Sequence, residues 1–337
     1  MRHKVLIKSS EHQFYVETDE TILDAALRQG VNLRYGCRNG ACGSCMGKLL
    51  EGDIQYSGDH SALSEEEAAE GMALFCQAMP ENDVVIEVDE VDLDSAIEIK
   101  TLPCRVQDLT LLADDVMQIF IKLPAAERLQ YLSGQYIDIL MEDGRHRSFS
   151  IANAPHNDEF LELHIRLVSD GYFTPKVFSE MKTKDLLRIE GPHGSFFLHE
   201  ESSRPLLLIA GGTGFAPIKA IIEHLLSEQS TRPVYLYWGA QREKDLYLFE
   251  LARQWAENHE HIHFIPVLSD ADDEHEWQGK RGYVHQAVLD DFEDLSAYDI
   301  YSCGPPAMIQ AAQSSFKDKG MNSEHFYFDS FDFANDP

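Results

Sequence analysis

The spacing of four cysteines constrains the fold of this chain more than any other feature of its sequence. Cys37, Cys42, Cys45 and Cys76 follow the pattern C-x4-C-x2-C-x30-C, which is the plant-type spacing of ligands to a [2Fe–2S] cluster. Thiolates are the soft ligands that iron–sulfur clusters require, and the small residues between the first three let the backbone wrap closely around such a group. The sequence therefore predicts that these four thiolates hold a [2Fe–2S] cluster.

Two other uses of the cysteines fit the spacing less well. A structural zinc site usually takes two closely spaced pairs of ligands, whereas Cys76 stands alone, 31 positions beyond Cys45. Six cysteines in 337 residues are too few for a disulfide scaffold, and they favour a reducing, cytoplasmic location. Cys104 has no neighbouring cysteine, and we interpret it as a small core residue.

The charge and length of the chain exclude several classes of function. Its 28 basic and 58 acidic residues give a net charge of −30, which disfavours binding to nucleic acids and to anionic membranes. No apolar run approaches the ~20 residues that a membrane-spanning helix requires, and the polar segment 1–13 does not resemble a signal peptide. A length of 337 residues predicts two or three domains, at roughly 100–200 residues each.

The residues around the cysteines predict a small domain of strands and helix. Lys4–Lys8 and Phe14–Glu17 alternate like the two strands of a hairpin. Thr21 is a candidate N-cap for a helix with apolar residues at i, i+3 and i+4, and Val84–Val88 predicts a closing strand. Together with the cysteine spacing, residues 1–93 resemble the plant-type ferredoxin family, which implies a β-grasp fold around the [2Fe–2S] cluster.

The middle of the chain alternates in the manner of an antiparallel barrel. The acidic segment Glu87–Glu98 predicts a linker, and residues 99–200 follow it as a second domain. Within that domain, Met117–Leu123, Ile137–Met141 and Leu161–Leu167 each place apolar side chains at alternate positions. Several short strands of this kind, separated by turn residues, favour an antiparallel β-barrel.

Two short motifs in the second domain indicate a flavin site. The run Arg147-Ser148-Phe149-Ser150 and the later run from Gly171 to Thr174 are weak signals singly. Together they resemble the FAD-binding domain of the ferredoxin–NADP reductase superfamily. The resemblance implies that Arg147 pairs with flavin phosphate, that Phe149 lies against the isoalloxazine ring, and that Ser150 acts catalytically near N5, where hydride arrives. It also implies that the second run opens a helix whose amides hold the pyrophosphate.

The second domain departs from the superfamily pattern at Phe149. The family motif has tyrosine there, so stacking is kept while a hydroxyl contact is lost. The segment Gly191–Phe196 is similar to the turn that closes the family's flavin domain. His193 lies within it, and we interpret this residue as a solvated turn histidine rather than a catalytic one.

Residues 203–337 alternate strand-like and helical patterns. Leu206–Ala210, Val234–Trp238, His263–Leu268 and Asp299–Ser302 predict buried parallel strands. Apolar residues at helical spacing follow the first of these strands. This layering is typical of a doubly wound α/β domain.

Two turns of the third domain indicate a nicotinamide site. The first strand runs into Gly211-Gly212-Thr213-Gly214, whose glycines allow a backbone to approach a pyrophosphate. This turn resembles the G-G-T-G-x-x-P nicotinamide turn of the same superfamily, and the later Cys303–Met308 resembles its C-G-P-x-x-M turn. The resemblance implies that Cys303 and Gly304 lie near the nicotinamide ring and that Cys303 takes part in catalysis. A buried structural cysteine is the alternative.

The choice of coenzyme is predicted from charge. Relatives selective for NADP follow the third strand with Ser-Arg, whereas this chain has Ser269-Asp270. A carboxylate repels the 2′-phosphate and can accept a hydrogen bond from a free ribose hydroxyl, so Asp270 favours NADH. Arg242 acts in the opposite direction, since it could reach a phosphate. In the aromatic tail, Phe331 is a candidate for covering the flavin, although packing of an edge strand explains the run equally well.

The order of the three domains resembles the NADH-dependent reductase components of oxygenases. The sequence segments 131–138, 147–155 and 282–289 are most similar to the CDP-6-deoxy-Δ3,4-glucoseen reductases. Those enzymes reduce a dehydrase in deoxysugar synthesis. The resemblance implies electron flow from NADH through FAD and the [2Fe–2S] cluster to a partner protein, either a dehydrase or an oxygenase. The net charge of −30 favours a partner with a basic or mixed surface. A free-flavin or quinone reductase and a non-catalytic redox sensor are the alternatives.

Overall fold

The computed structural model describes residues 2–58, 60–91, 97–271 and 277–331. The chain divides into two compact units, one formed by residues 1–97 with 194–196 and the other by 98–193 with 197–337. Part of the predicted acidic linker, residues 92–96, lies outside the described residues. In the part of the chain that is described, no helix has the length and apolar character to cross a membrane.

In residues 2–58 and 60–91, the first unit is a mixed five-stranded sheet with a helix packed against it, as the ferredoxin resemblance implied. The order is β2-β1-β7-β3-β5, in which β1 and β7 are parallel and the other neighbours are antiparallel. The strands and helices are β1 (His3–Ile7), β2 (Gln13–Val16), α1 (Ile22–Arg28), β3 (Met46–Glu51), β4 (Ile54–Tyr56), α2 (Glu65–Ala69), β5 (Met72–Leu74), β6 (Ala78–Pro80) and β7 (Val84–Glu87).

Helix α1 begins and ends where the sequence predicts. The Thr21 side chain accepts a hydrogen bond from the amide of Asp24 at 3.1 Å, which caps the first turn. Gly30 follows the helix with φ of +77°, a conformation that favours glycine. Ile22, Leu23 and the neighbouring alanines are buried against the sheet, so the unit has its own core.

The second unit begins with an antiparallel barrel, as predicted from the alternation. Within residues 97–193 the strand order is β11-β10-β13-β8-β9-β12, and every neighbouring pair is antiparallel. A bridge between Ile151 and Leu163, with the Ala152 amide donating to the Glu162 carbonyl at 2.7 Å, joins the two edges. The elements are β8 (Lys100–Ala113), β9 (Val116–Lys122), β10 (Tyr136–Leu140), β11 (His146–Ser150), β12 (Leu161–Arg166), α3 (Thr174–Ser179) and β13 (Leu186–His193).

The remainder of the second unit is a parallel sheet between helices, and this confirms the predicted doubly wound architecture. Over residues 204–271 and 277–331 the strand order is β17-β16-β15-β14-β18-β19, so successive strands are added on one side of β14 up to β17 and then on its other side from β18. Ligands bind in such sheets at the carboxyl ends of the strands, where the order reverses. The elements are β14 (Leu206–Gly211), α4 (Phe215–Ser227), β15 (Val234–Ala240), α5 (Phe249–Asn258), β16 (Ile262–Leu268), β17 (Lys280–Arg281), α6 (Val284–Asp291), β18 (Asp299–Gly304), α7 (Pro306–Lys317) and β19 (Phe326–Ser330).

Candidate active site

The loop that carries the first three cysteines, residues 37–45 (the cluster loop), folds so that its backbone amides face sulfur atoms. The amide of Cys42 donates to Sγ of Cys37 at 3.3 Å, and the amides of Cys37 and Ser44 each donate to Sγ of Cys42 at 3.4 Å. Gly40 has φ of +84°, which permits the tight path. Amides aimed at sulfur stabilise the negative charge of a bound cluster.

The four cysteine sulfurs lie as two pairs. A hydrogen bond from Cys42 lowers the pKa of the Cys37 thiol to about 6. A hydrogen bond with Cys76, together with burial, raises the pKa of Cys45 above its usual range. All six cysteines lie in the described residues and are free thiols. A [2Fe–2S] cluster takes four thiolates, two on each iron, so this arrangement fits it.

Strand β11 presents the residues of the predicted flavin motif. The Arg147 guanidinium donates to the carbonyl of His146 at 2.8 Å, and the Phe149 ring packs 5.7 Å from that of Phe173. The Ser150 hydroxyl is buried and has no hydrogen-bond partner within the described part of the chain. A buried hydroxyl is costly unless it is paired, so this atom fits a polar edge of a bound flavin.

Two other residues of the predicted flavin site have hydroxyls that already bind protein atoms. The Ser148 hydroxyl donates to the Asp138 carboxylate at 2.5 Å. Thr174 Oγ1 accepts from the amide of Val168 at 2.9 Å and lies 3.2 Å from the carbonyl of the same residue. Helix α3 does begin at Thr174, after Gly171. Its contact with a pyrophosphate stays a prediction.

The glycine-rich turn between β14 and α4 (residues 211–214, the nicotinamide turn) is packed too tightly for a side chain at Gly211 or Gly214. A Cβ added at Gly214 would lie 2.0 Å from the Cys303 carbonyl oxygen, and one at Gly211 would lie 2.6 Å from Sδ of Met308. The indole of Trp238 donates to the Gly212 carbonyl at 3.0 Å. Thr213 is half-buried beside them. The turn is therefore held in one conformation at the carboxyl end of the sheet.

Cys303 and Gly304 end β18 directly beside the nicotinamide turn. Burial raises the pKa of the Cys303 thiol well above its usual value, so the side chain stays protonated and is not a thiolate nucleophile. The amide of Phe331 donates to the Gly304 carbonyl at 3.0 Å. The fold thus brings the tail residue Phe331 next to the turn that carries Cys303.

The two residues with opposite predicted effects on coenzyme choice lie together. Asp270 follows β16 and Arg242 follows β15, and their Oδ2 and Nε atoms are 3.7 Å apart. The Asp270 amide donates to the carbonyl of Gln241 at 2.9 Å, which fixes the loop. The carboxylate therefore partly neutralises the guanidinium that could bind a 2′-phosphate.

The interpretation of His193 as a solvated turn residue is wrong. Strand β13 extends through His193, and the residue is only 2% exposed. Its Nε2 lies 3.6 Å from Oδ2 of Asp138 and 3.5 Å from Oε1 of Glu190. The resemblance of Gly191–Phe196 to a family motif predicts a turn, but the first three residues of this segment form the end of strand β13.

The polar face of β12 carries functional candidates that the motifs did not indicate. Leu161, Leu163 and Ile165 lie in the barrel core, while the intervening side chains face the nicotinamide-binding half of the unit. The guanidinium of Arg166 lies 3.2 Å from the position of a Cβ at Gly212. Its Nε and Nη2 are buried with no hydrogen-bond partner among the described residues, although Nη1 lies 3.2 Å from the Asp115 carboxylate. The alternation of polar with apolar residues in L-E-L-H-I-R was the available signal.

Three family models match successive parts of the chain. The 2Fe-2S iron-sulfur cluster binding domain matches residues 5–81, the oxidoreductase FAD-binding domain matches residues 103–198, and the oxidoreductase NAD-binding domain matches residues 208–314. The first match contains all four paired cysteines, and the others contain β11 and the nicotinamide turn. The predicted cluster, flavin and nicotinamide domains are thereby confirmed as domain types.

The chain is similar to known reductases along nearly its whole length. It is 40% identical over 318 residues to the CDP-6-deoxy-L-threo-D-glycero-4-hexulose-3-dehydrase reductase of Yersinia pestis, covering 94% of this chain and 95% of that protein. It is 33% identical to reductase component 2 of the terephthalate 1,2-dioxygenase of Comamonas, with 98% of each covered. The crystal structure of a cytochrome P450 reductase of Amycolatopsis matches with a TM-score of 0.81 at 31% identity, again with 98% of each chain covered.

Proposed function

The chain belongs to the family of iron–sulfur flavoprotein reductases that transfer electrons from a nicotinamide coenzyme to a partner protein, and we propose that its own coenzyme is NADH. The proposed acceptor is a deoxysugar dehydrase or an oxygenase, because the relatives named above are the reductases of such proteins. The observation that carries the assignment is the presence, in one chain, of the paired cysteines, the flavin strand and the nicotinamide turn.

The proposed domain limits are those that the sequence predicts. They are 1–93 for the ferredoxin-type domain, 99–200 for the flavin domain and 203–337 for the nicotinamide domain. The family-model matches at 5–81, 103–198 and 208–314 lie inside these limits, which supports them. A cytoplasmic location is part of the proposal, since reducing conditions keep ligand thiols free.

The residues of the second unit have distinct proposed roles. When bound, the flavin supplies an acceptor for hydride and a donor of single electrons, and the cluster supplies a one-electron carrier. Ser150 would donate its buried hydroxyl to the flavin edge, while Phe149 presents a flat apolar face to the ring. Arg147 would bind flavin phosphate. Nε and Nη2 of Arg166, which have no hydrogen-bond partner among the described residues, suit the coenzyme pyrophosphate. Cys303 would pack as a neutral thiol beside the nicotinamide.

NADH is the proposed coenzyme because of the pair formed by Asp270 and Arg242. Binding of a 2′-phosphate would place negative charge beside the Asp270 carboxylate, whose Oδ2 lies 3.7 Å from Nε of Arg242. A ribose hydroxyl, in contrast, can donate to that carboxylate. Charge at this loop therefore supports NADH over NADPH.

The test is anaerobic addition of NADH to the purified, cofactor-loaded protein, with NADPH as the comparison. Visible absorbance follows the flavin, and low-temperature EPR follows the cluster. We expect flavin bleaching and then a reduced [2Fe–2S] signal, with NADPH reacting more slowly. Flavin bleaching beside an intact cluster that stays oxidised would contradict the proposed route. Rapid direct reduction of quinones by a variant without cluster would instead favour a quinone reductase.

A further inference from the structure

The polar face of β12 places buried ionisable groups at the junction between the flavin barrel and the nicotinamide half of the unit. Glu162 and His164 alternate with core residues of the strand, and both are only 5% exposed. Burial of such groups is costly unless each finds a partner. Besides partners within the barrel, they contact elements of the nicotinamide half, on α4 and in the segment that precedes α5.

Glu162 is the centre of this junction. Its Oε1 accepts from Nε2 of Gln118 at 2.7 Å and lies 2.9 Å from Nε2 of His164, and its Oε2 accepts from Nζ of Lys219 at 2.9 Å. Burial disfavours ionisation of the carboxyl, but the His164 hydrogen bond and the Lys219 charge outweigh it and hold the pKa at about 2. The buried carboxylate is therefore charged and fully paired.

Lys219 joins the two cofactor-binding segments through one ammonium group. It lies in the second turn of α4, the helix that follows the nicotinamide turn. Besides Glu162, its Nζ contacts the carbonyl of Ala152 at 3.1 Å and the carboxylate of Glu223 at 2.8 Å. Ala152 stands two residues beyond Ser150, at the end of the flavin strand. The ammonium group thus ties the flavin strand to the nicotinamide helix.

A second connection reaches the other side of the nicotinamide turn. Nδ1 of His164 lies 3.0 Å from the hydroxyl of Tyr247, whose ring meets the Trp238 ring edge-on at 5.2 Å. Trp238 stacks on Phe215 at 3.8 Å and donates to the Gly212 carbonyl. The junction therefore holds the nicotinamide turn at two points. One is α4, through Lys219, and the other is the Gly212 carbonyl, through Trp238.

We propose that Lys219 and Glu162 are positioning residues that set the distance and orientation between the nicotinamide ring and the flavin. Hydride transfer depends steeply on the alignment of donor and acceptor. The ion pair touches neither reacting atom, but it joins the segments that carry both. This inference rests on the proposed NADH-to-flavin reaction.

The experiment compares Lys219→Met and Glu162→Gln with the wild type, each loaded with both cofactors. Anaerobic stopped-flow measures the rate of flavin reduction at saturating NADH and the dissociation constant of NADH. We expect the rate to fall about 10- to 100-fold in both variants, because a misplaced donor costs about that much. The dissociation constant should change far less, since coenzyme-binding groups remain.

Two readouts besides turnover separate positioning from a general loss of structure. The long-wavelength charge-transfer absorbance between nicotinamide and flavin should weaken, because it depends on ring overlap. Hydrogen exchange of the amides in 211–216 should accelerate, while that of the first unit stays as in the wild type. Lys219→Arg should restore part of the rate, since it keeps the charge.

The controls follow from the geometry of Lys219. Glu223→Gln removes one charged partner of Lys219 but keeps a side-chain oxygen that can accept from the Ala154 backbone, so it should affect the hydride rate less than Glu162→Gln. Lys317→Met removes an exposed lysine at the end of α7 and should leave the rate unchanged. Wild-type rate and charge-transfer absorbance in both Lys219→Met and Glu162→Gln would overturn the inference. If the wild type itself is not reduced by NADH, the proposed function fails instead.

Discussion

The cluster loop and the flavin–nicotinamide junction both hold redox groups in place, but they do so with different parts of the chain. In the cluster loop, backbone amides within nine residues face the cysteine sulfurs. In the junction, side chains from β12, α4 and the segment before α5 meet across long stretches of sequence. A local site such as the cluster loop is therefore specified by the spacing of residues along the chain. A junction is specified by which faces of distant strands and helices pack together.

The largest expected effect is loss of the cluster. Cys76→Ser removes the ligand that is most distant in sequence and pairs with Cys45, so the [2Fe–2S] EPR signal and electron delivery to a partner should disappear. Reduction of flavin by NADH should persist, because the junction is built from other residues. Cys104→Ser is the matched control, since that thiol lies in the barrel core. If Cys76→Ser also lost electron transfer from NADH to flavin, the conclusion that the cluster loop and the junction work independently would be wrong.

The next effect concerns the glycine of the nicotinamide turn. Gly214→Ala would force a Cβ to 2.0 Å from a backbone carbonyl oxygen, so we expect a loss of about 3 kcal/mol in the free energy of unfolding and weak NADH binding. A Cβ added at Gly144 would meet no other atom, so Gly144→Ala carries only the strain of a positive φ of 87°. We expect it to lower the free energy of unfolding by about 1 kcal/mol. Urea unfolding and NADH titration measure both. Equal losses in the two variants would show that packing at the turn is not decisive.

The pH dependence of stability tests the charge of Glu162. Its pKa is about 2 in the folded protein, against an ordinary 4.5, so its charged form stabilises the fold by about 3 kcal/mol above the ordinary pKa. That contribution declines as pH falls from about 4.5 toward 2. The difference in unfolding free energy between wild type and Glu162→Gln should therefore be largest at neutral pH and smaller at about pH 3.5. Urea unfolding followed by tryptophan fluorescence measures it, and a difference that does not change with pH would contradict the ion pair.

The smallest effect is expected at the exposed coenzyme loop. Asp270→Asn removes the charge beside Arg242, so kcat/KM for NADPH should rise about tenfold, equivalent to ~1.4 kcal/mol, while NADH is affected less. Steady-state kinetics with both coenzymes measure the ratio. Arg242→Ala in the same background should reverse the gain. If NADPH kinetics stay unchanged in Asp270→Asn, the pair does not determine coenzyme choice.

The sequence predicted those features in which a residue's role depends on its neighbours along the chain. The cysteine spacing, the Thr21 cap, the alternating barrel strands and the nicotinamide turn are of this kind, and the observed elements agree with them. The burial of His193 and the pairing of Glu162 with Lys219 depend on contacts between residues 55 to 57 positions apart along the chain. The alternation in β12 indicated which side chains point away from the barrel core, but it did not indicate which residues those side chains contact.

Two residues of the predicted flavin motif also differ in the contacts that the fold gives them. The Ser150 hydroxyl is buried and has no hydrogen-bond partner within the described residues, so a bound ligand could supply one. Ser148 belongs to the same motif, yet its hydroxyl is turned to Asp138. Residues two positions apart in a strand point to the same face, so the different surroundings of these two hydroxyls come from packing against other elements, which a motif match does not resolve.

Closure of the flavin barrel has a consequence for association with other chains. An open sheet exposes a row of amide and carbonyl groups that can pair with a foreign strand. The bridge between Ile151 and Leu163 pairs the edge strands just beyond the end of β11, so a foreign strand cannot pair with the chain at that place. Recognition of a partner beside this bridge must then depend on side chains, and substitutions at the surface there can redirect the choice of partner without altering how the sheet is paired.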